Sequence, residues 1–136
     1  ERFRKAVSLI QRSIELYGVN GLAFSFNGGK DSTVLLHLTR CAVAKNRLEL
    51  GLGDSGVGEL GGIHSFFYDH KNDFPELYEF VYAADKRHGL GLEVLYMDYK
   101  AGLEHITSAR PVRAILLGTR RGDPNAGDQE HFCPSS

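Results

Sequence analysis

The stretch Leu22-Ala23-Phe24-Ser25-Phe26-Asn27-Gly28-Gly29-Lys30-Asp31-Ser32-Thr33-Val34-Leu35-Leu36 decides how this chain is read. Residues 22 to 26 form a short apolar and aromatic run of strand length, and Val34, Leu35, Leu38 and Ala42 recur at helical spacing. Two glycines, a lysine and an acid therefore stand where a buried strand turns into a helix. The loop is not a Walker A site. That pattern needs glycine five residues before its Gly-Lys pair and a hydroxyl residue after the lysine, whereas Phe24 and Asp31 hold those places here. A different phosphate device fits. Gly28 and Gly29 let the backbone bend so that successive N–H groups point inward, and the following helix adds its positive end. The competing reading is a tight turn in which Asp31 and Ser32 only cap the helix. Capping leaves the double glycine and Lys30 unaccounted for.

Working outward, Phe3, Val7, Ile10, Ile14 and Tyr17 lie on one face of a helix that Gly18 ends. Residues 63–68 predict a second strand, and Leu77, Phe80, Val81 and Ala84 a helix after Pro75. Residues 92–96 predict a third strand, 101–109 a helix, and 114–118 a fourth strand opening into a polar loop. Strands alternating with helices predict an α/β domain, with a mainly parallel sheet between two helical layers and right-handed crossovers. Ligands bind such sheets at the carboxyl ends of the strands, where the strand order switches. Both the 27–32 loop and the 118–124 loop begin at such ends.

Residues 51–62, G-L-G-D-S-G-V-G-E-L-G-G, open on a G-x-G-x-x-G match but lack the strand-then-helix setting of a dinucleotide site. They are read as a flexible glycine-rich surface loop inserted in the domain.

The totals limit the function classes. The 136 residues suit one domain, and a 42% apolar content supports a core without disulfides. Sixteen Lys and Arg against 17 Asp and Glu give no bulk basic field, so nucleic acid is not an expected partner. No apolar stretch approaches the ~20 residues of a membrane span, so no membrane is expected either. Cys41 and Cys133 form neither a metal pattern nor a disulfide framework, which favours a reducing, cytoplasmic setting. Because the chain opens on Glu1, an organellar address stays open. The histidines at 37, 64, 70, 88 and 105 show no ligand spacing, and His131 with Cys133 is too little for zinc. Phe26 and Tyr68, at two strand ends, are read either as flanking an adenine or as core aromatics.

The loop N-G-G-K-D-S, residues 27–32, resembles the pyrophosphate loop of the ATP pyrophosphatase superfamily, whose usual form is S-G-G-K-D-S. The resemblance is strongest to the branch that holds 3′-phosphoadenylylsulfate reductases and FAD synthases. Within it, F-N-G-G-K-D is the FAD synthase form, and L-G-T-R-R-G-D-P at 117–124 is similar to that family's G-x-R-x-x-D-P segment. F-C-P-S at 132–135 and the stretch from Tyr68 through Phe74-Pro75-Glu76 also look like the family. The resemblance implies a three-layer α/β/α sandwich of the adenine nucleotide alpha hydrolase type, spanning residues 1–136 as one pyrophosphate-loop domain. It also implies that the family's last strand and helices lie beyond residue 136.

It further implies adenylyl transfer from ATP to FMN, giving FAD and pyrophosphate, with Mg²⁺ as cofactor and the two small molecules as partners. The implied ATP contacts are Ser25, Phe26, Asn27, Gly28, Gly29, Lys30, Asp31, Ser32, Tyr68 and Gly118. Arg120, Arg121, Asp123 and Pro124 would meet FMN, and Asn27, Asp31, Arg120 and Asp123 would be catalytic. Metal ligands and oligomeric state stay unassigned. Because the flavin side is only begun here, these residues alone are expected to turn over poorly. The rival readings are a nucleotide-binding module of the same fold without turnover and a 3′-phosphoadenylylsulfate reductase-like enzyme. The latter uses a C-G-I-H tail that this sequence does not show.

Overall fold

The structure is a computed structural model that describes residues 2–51, 59–69, 71 and 74–118. The stripe of the first helix, α1 (Arg2–Tyr17), meets the core through Val7, Ile10 and Ile14. Phe3 was expected on that stripe but is 57% exposed, because the apolar contact begins only with the second turn. Gly18 ends the helix with φ +74, its N–H donating to Ile14 at 2.7 Å. After a single 3-10 turn the chain enters β1 (Leu22–Ser25), and the loop leads into α2 (Lys30–Glu49).

In α2 the buried stripe is Ser32, Leu36, Thr39, Ala42 and Val43. Val34 does not share it. Two residues back from Leu36 is about 200° around the helix, so Val34 points to solvent and is 51% exposed. β2 (His64–Tyr68), α3 (Pro75–His88), β3 (Glu93–Leu95), α4 (Tyr99–Ala109) and β4 (Ala114–Leu116) complete the order. Pro75 opens α3 at a position that needs no N–H, and Gly89 closes it at φ +61 after Lys86, Arg87 and His88. α4 starts two residues before the predicted 101 because Asp98 caps it, accepting from the Ala101 N–H at 2.8 Å.

The described strands are all parallel, in the order β3-β2-β1-β4. Alternation along each strand sorts the side chains between two layers. Leu22, Phe24, Phe26, Ile63 and Phe67 face α1, α2 and α3, while Ala23, Phe66, Leu95 and Ile115 face Leu103 and Ile106 of α4. Phe24, Phe26, Phe66 and Phe67 are at most 2% exposed. Each contributes about 1.5–3 kcal/mol by burial, so the aromatic richness of these strands is core material.

The end of the glycine-rich segment differs from the loose loop that its composition suggests. Leu60 is 4% exposed within the core, and Gly61, at φ +61, lies against Val43. Glu59 pairs with Arg40 of α2 at 2.9 Å and with His88 of α3 at 2.6 Å. An apolar anchor and a doubly held carboxylate override the flexibility of the neighbouring glycines. The rest of that segment, 52–58, is outside the described residues.

Candidate functional site

The topology itself marks a place for a ligand. From β1 the chain moves through α2 and α3 toward β3 on one side, and then crosses back through α4 to β4 on the other side of β1. The strand order therefore switches between β1 and β4, and a cleft opens at their carboxyl ends. The 27–32 loop and Gly118, the last described residue after β4, flank that cleft.

Gly28 makes the turn out of β1 with φ +79, a conformation that strains any residue with a Cβ. A Cβ there would also stand 2.7 Å from Leu77 Cδ1 and from Val81 Cγ2, so the loop sits directly on α3. Gly29 is different. Its φ is −77, and it is the residue from which α2 starts, with no side-chain cap on the helix. The N–H groups of Lys30, Asp31 and Ser32 open α2 and have no carbonyl one turn back to donate to. Their positive end faces the cleft.

Asn27 and Ser32 lock the loop. The Gly29 N–H donates to Asn27 Oδ1 at 2.8 Å, and the Ser32 hydroxyl donates to the same oxygen at 2.7 Å. Ser32 Oγ accepts in turn from the Asn27 N–H at 3.4 Å. The Gly29 carbonyl receives the Thr33 N–H at 3.0 Å and the Thr33 hydroxyl at 2.8 Å. Ser32 is 3% exposed, so its hydroxyl lies behind the loop rather than at its mouth. Lys30 and Asn27 are exposed and Asp31 is half-buried.

Gly118, just after β4, closes the geometry. A Cβ at that position would lie 3.0 Å from the Asp31 carbonyl oxygen and 3.1 Å from Ser32 Cα. Glycine is what lets the end of β4 rest on the first turn of α2. The entrance to the second motif is thereby fixed against the first.

Two predicted ligand residues are placed otherwise. Phe26 is fully buried, its ring 5.9 Å from that of Phe24 and 6.4 Å from that of Phe80. Tyr68 lies on the other layer, its ring 5.8 Å from Phe66 and 5.3 Å from Tyr99, with its hydroxyl donating to the Tyr99 carbonyl at 2.8 Å. Strand alternation puts the two rings on opposite faces of the sheet, so they do not flank one adenine. Burial, aided by the neighbouring Tyr99 and Asp98, pushes the Tyr68 hydroxyl up to about 12. It remains a neutral donor throughout the physiological range. Ser25 is half-buried on the α4 side of β1 by strand alternation. Arg120, Arg121, Asp123 and Pro124 lie outside the described residues, as do His70, His131 and Cys133.

Sequence patterning missed several supports. Leu77 and Val81 form the floor under Gly28, and their helical spacing was read only as core. The contact of Gly118 with α2 has no signal beyond glycine itself. His64 and His105 each bind Glu93 at 2.7 Å, one carboxylate joining β2, β3 and α4 at the amino ends of the strands. A hollow of about 430 Å³ between Ile14, Val43 and Leu50 also lies at that end, and none of the predicted ligand residues lines it. Among the described residues no group of three or more His, Cys, Asp or Glu is arranged to hold a metal ion. No described helix is long and apolar enough to cross a membrane.

An open parallel α/β sheet, with a glycine turn feeding an uncapped helix start at its switch point, defines a class of phosphate-site domains. The family model of the phosphoadenosine phosphosulfate reductase domain matches residues 21–114, and the chain belongs to that family. A protein from Caenorhabditis elegans described as "Probable FAD synthase" is 32% identical over 126 residues, covering 92% of this chain and 22% of that protein. Yeast FAD synthetase in complex with FAD superposes with a TM-score of 0.66 at 24% identity, over 90% of this chain and 45% of that one. Candida glabrata FMN adenylyltransferase in complex with FMN and an ATP analogue gives a TM-score of 0.70 at 21% identity, over 95% and 45%. The chain thus spans less than half of each of these proteins.

Proposed function

We propose that this chain carries the nucleotide half of an FMN adenylyltransferase. In that reaction an oxygen of the FMN phosphate bonds to the α-phosphorus of ATP. The bond from that phosphorus to the bridging oxygen breaks, and pyrophosphate leaves with the electron pair. The observation that carries the reading is the glycine turn at Gly28 opening α2 in the cleft between β1 and β4, with Gly118 packed on that helix start. Support also comes from the relatives, whose names are those of FAD synthases.

No covalent intermediate is needed, so the work is to hold two polyanions in line and to stabilise charge on the leaving group. The first N–H groups of α2 and the exposed Lys30 would hold the β- and γ-phosphates, which become the leaving pyrophosphate. Asn27 would add its amide at the mouth. Arg120 and Arg121 would bridge the phosphates of the two substrates, and Asp123 with Pro124 would orient the flavin. Gly118, the residue that leads into that segment, packs on the first turn of α2.

Mg²⁺ would be held with the help of the substrate phosphates. This ion commonly uses one or two carboxylates together with substrate phosphates rather than a protein-built cage. Asp31, in the first turn of α2, is placed to be such a carboxylate, and the ion would neutralise charge developing on the pyrophosphate.

The test is incubation of ATP, FMN and Mg²⁺ with the complete natural protein that carries this sequence, followed by chromatography. FAD and pyrophosphate should appear in equal amounts. ATP binding with no FAD would favour the non-catalytic module. Reduction of 3′-phosphoadenylylsulfate to sulfite by a thiol would favour the reductase-like reading.

A further inference from the structure

Asn27 carries a carbonyl oxygen and an amino group, so either could face a ligand on the loop. The hydrogen bonds decide between them. The backbone N–H of Gly29 can only donate, so the atom it meets at 2.8 Å must be the side-chain oxygen. Ser32 then brings a second donor to the same oxygen at 2.7 Å from a position that is 3% exposed. With the Gly29 N–H on Oδ1, the planar amide cannot turn over without stranding that donor, and the Ser32 hydroxyl, which also lies 3.2 Å from the Gly29 carbonyl, adds to the hold. Its Nδ2 group is directed away from Gly29 and Ser32, on an exposed residue, and has no acceptor among the described residues.

We propose that Ser32 is a positioning residue: its hydroxyl holds the Asn27 carboxamide with Nδ2 outward, so that Asn27 offers a phosphate oxygen two donor hydrogens and no acceptor. The proposal rests on the reading of residues 27–32 as a phosphate loop. It also assigns the Gly29 N–H to the framework of the loop rather than to the ligand. The hydroxyl that sequence pattern places among the phosphate contacts acts here through a neighbour. An asparagine without this constraint is free to turn its oxygen toward the anion, and an oxygen facing a phosphate repels it.

The probe is inorganic pyrophosphate, titrated calorimetrically into the wild-type chain, Ser32→Ala, Asn27→Ala and the double variant, each first shown to be folded by circular dichroism. Loss of a donor to a charged group should weaken binding about 10- to 100-fold in Asn27→Ala, and Ser32→Ala, which loosens the amide without removing it, should weaken binding by no more than that. If Ser32 acts through Asn27, the double variant binds no more weakly than Asn27→Ala. Losses that multiply would show that the Ser32 hydroxyl touches phosphate itself and would overturn the proposal while leaving the loop assignment intact. Heteronuclear NMR separates positioning from mere bracing. On adding pyrophosphate, the Asn27 side-chain amide protons should shift strongly while the Gly29 N–H keeps the signature of its bond to Oδ1. A Gly29 N–H that moves to pyrophosphate while the Asn27 amide stays unchanged overturns the proposal. Absence of any pyrophosphate binding by the wild-type chain overturns the proposal and the phosphate loop together, and so is distinct from multiplying losses.

Discussion

Gly28 and Gly29 are the same letter in the sequence and do different things in the structure. Gly28 is held at φ +79 with Leu77 and Val81 where a Cβ would be, while Gly29 has an ordinary φ of −77 and faces Asn27 Oδ1. Gly28→Ala should therefore be the costly change. A left-handed residue costs roughly 1–2 kcal/mol and overpacking adds about 1–3 kcal/mol, so urea denaturation should show a loss of about 2–5 kcal/mol. Gly29→Ala should lose much less stability but should still weaken pyrophosphate binding, because its Cβ would lie 3.0 Å from Asn27 Oδ1 and disturb the amide. Equal stability loss in the two variants would contradict this division of labour. What the sequence showed at this scale was chemistry: a lysine, an acid and two small residues in one turn. What it could not show was which backbone bends, or that Phe26 points inward, because strand parity depends on which face of the sheet is covered by more helices.

At the scale of elements, most of the fold was legible from period alone. Every predicted helix and strand exists within a few residues of its predicted bounds, because helical spacing marks the helices and the shortness of the apolar runs between them marks the strands. The strand order was not legible, since hydrophobic runs do not say which neighbour they pair with. It follows here from right-handed crossovers with α2 and α3 on one face and α4 on the other. The contact of β4 with α2 is the consequence that bears on function. Gly118→Ala should push the strand end off the helix by a few tenths of an ångström, since the atoms it would meet are backbone. On the role proposed for Arg120, turnover in the complete protein should fall more than ATP affinity, because the strand end that leads into that segment shifts from the first turn of α2. Unchanged turnover would detach the two motifs from one another.

The staple of His64, Glu93 and His105 gives the elements a dependence on pH. Burial lowers the His64 imidazole below its ordinary 6.5, outweighing the pull of Glu93. For Glu93, burial works in the opposite sense, but hydrogen bonds from His105 and His64 prevail and hold it below the ordinary 4.5. Both groups thus bind protons more readily in the unfolded chain. Their contribution is complete above the unfolded values and is lost as pH falls through the folded ones. Stability should begin to decline as pH drops below about 6.5 and decline further below about 4.5. Burial and the charges of Arg40, His88 and Arg87 lower His37 as well, so the first decline is shared. Urea melts of the wild type and His64→Gln between pH 7.5 and 5 should show a shallower slope for the variant, and identical slopes would remove His64 as a source.

For the molecule as a whole, a formal net charge of −1 means that no general field draws anions to it. Any stabilisation by a polyanion must come from a local cradle, and that distinguishes this chain from a basic protein that gathers nucleotides indiscriminately. In the proposed reading the helix start, the exposed Lys30 and the Asn27 amide meet the terminal phosphates, whereas Phe26 and Tyr68 lie on opposite faces of the sheet and do not clasp a base together. Inorganic pyrophosphate and ATP should therefore both raise the melting temperature, and AMP at the same concentration should not. At 100 times the dissociation constant the gain is about 2.7 kcal/mol, which corresponds to roughly 10 °C for a chain of this size. The pyrophosphate effect should survive moderate salt better than a diffuse charge effect would, because the donors are fixed N–H groups in a cleft rather than scattered surface lysines. Scanning calorimetry with each ligand at two ionic strengths checks this. Equal stabilisation by AMP and pyrophosphate would move the principal contact from the 27–32 loop to the base or ribose, and would take the leaving-group role of that loop with it.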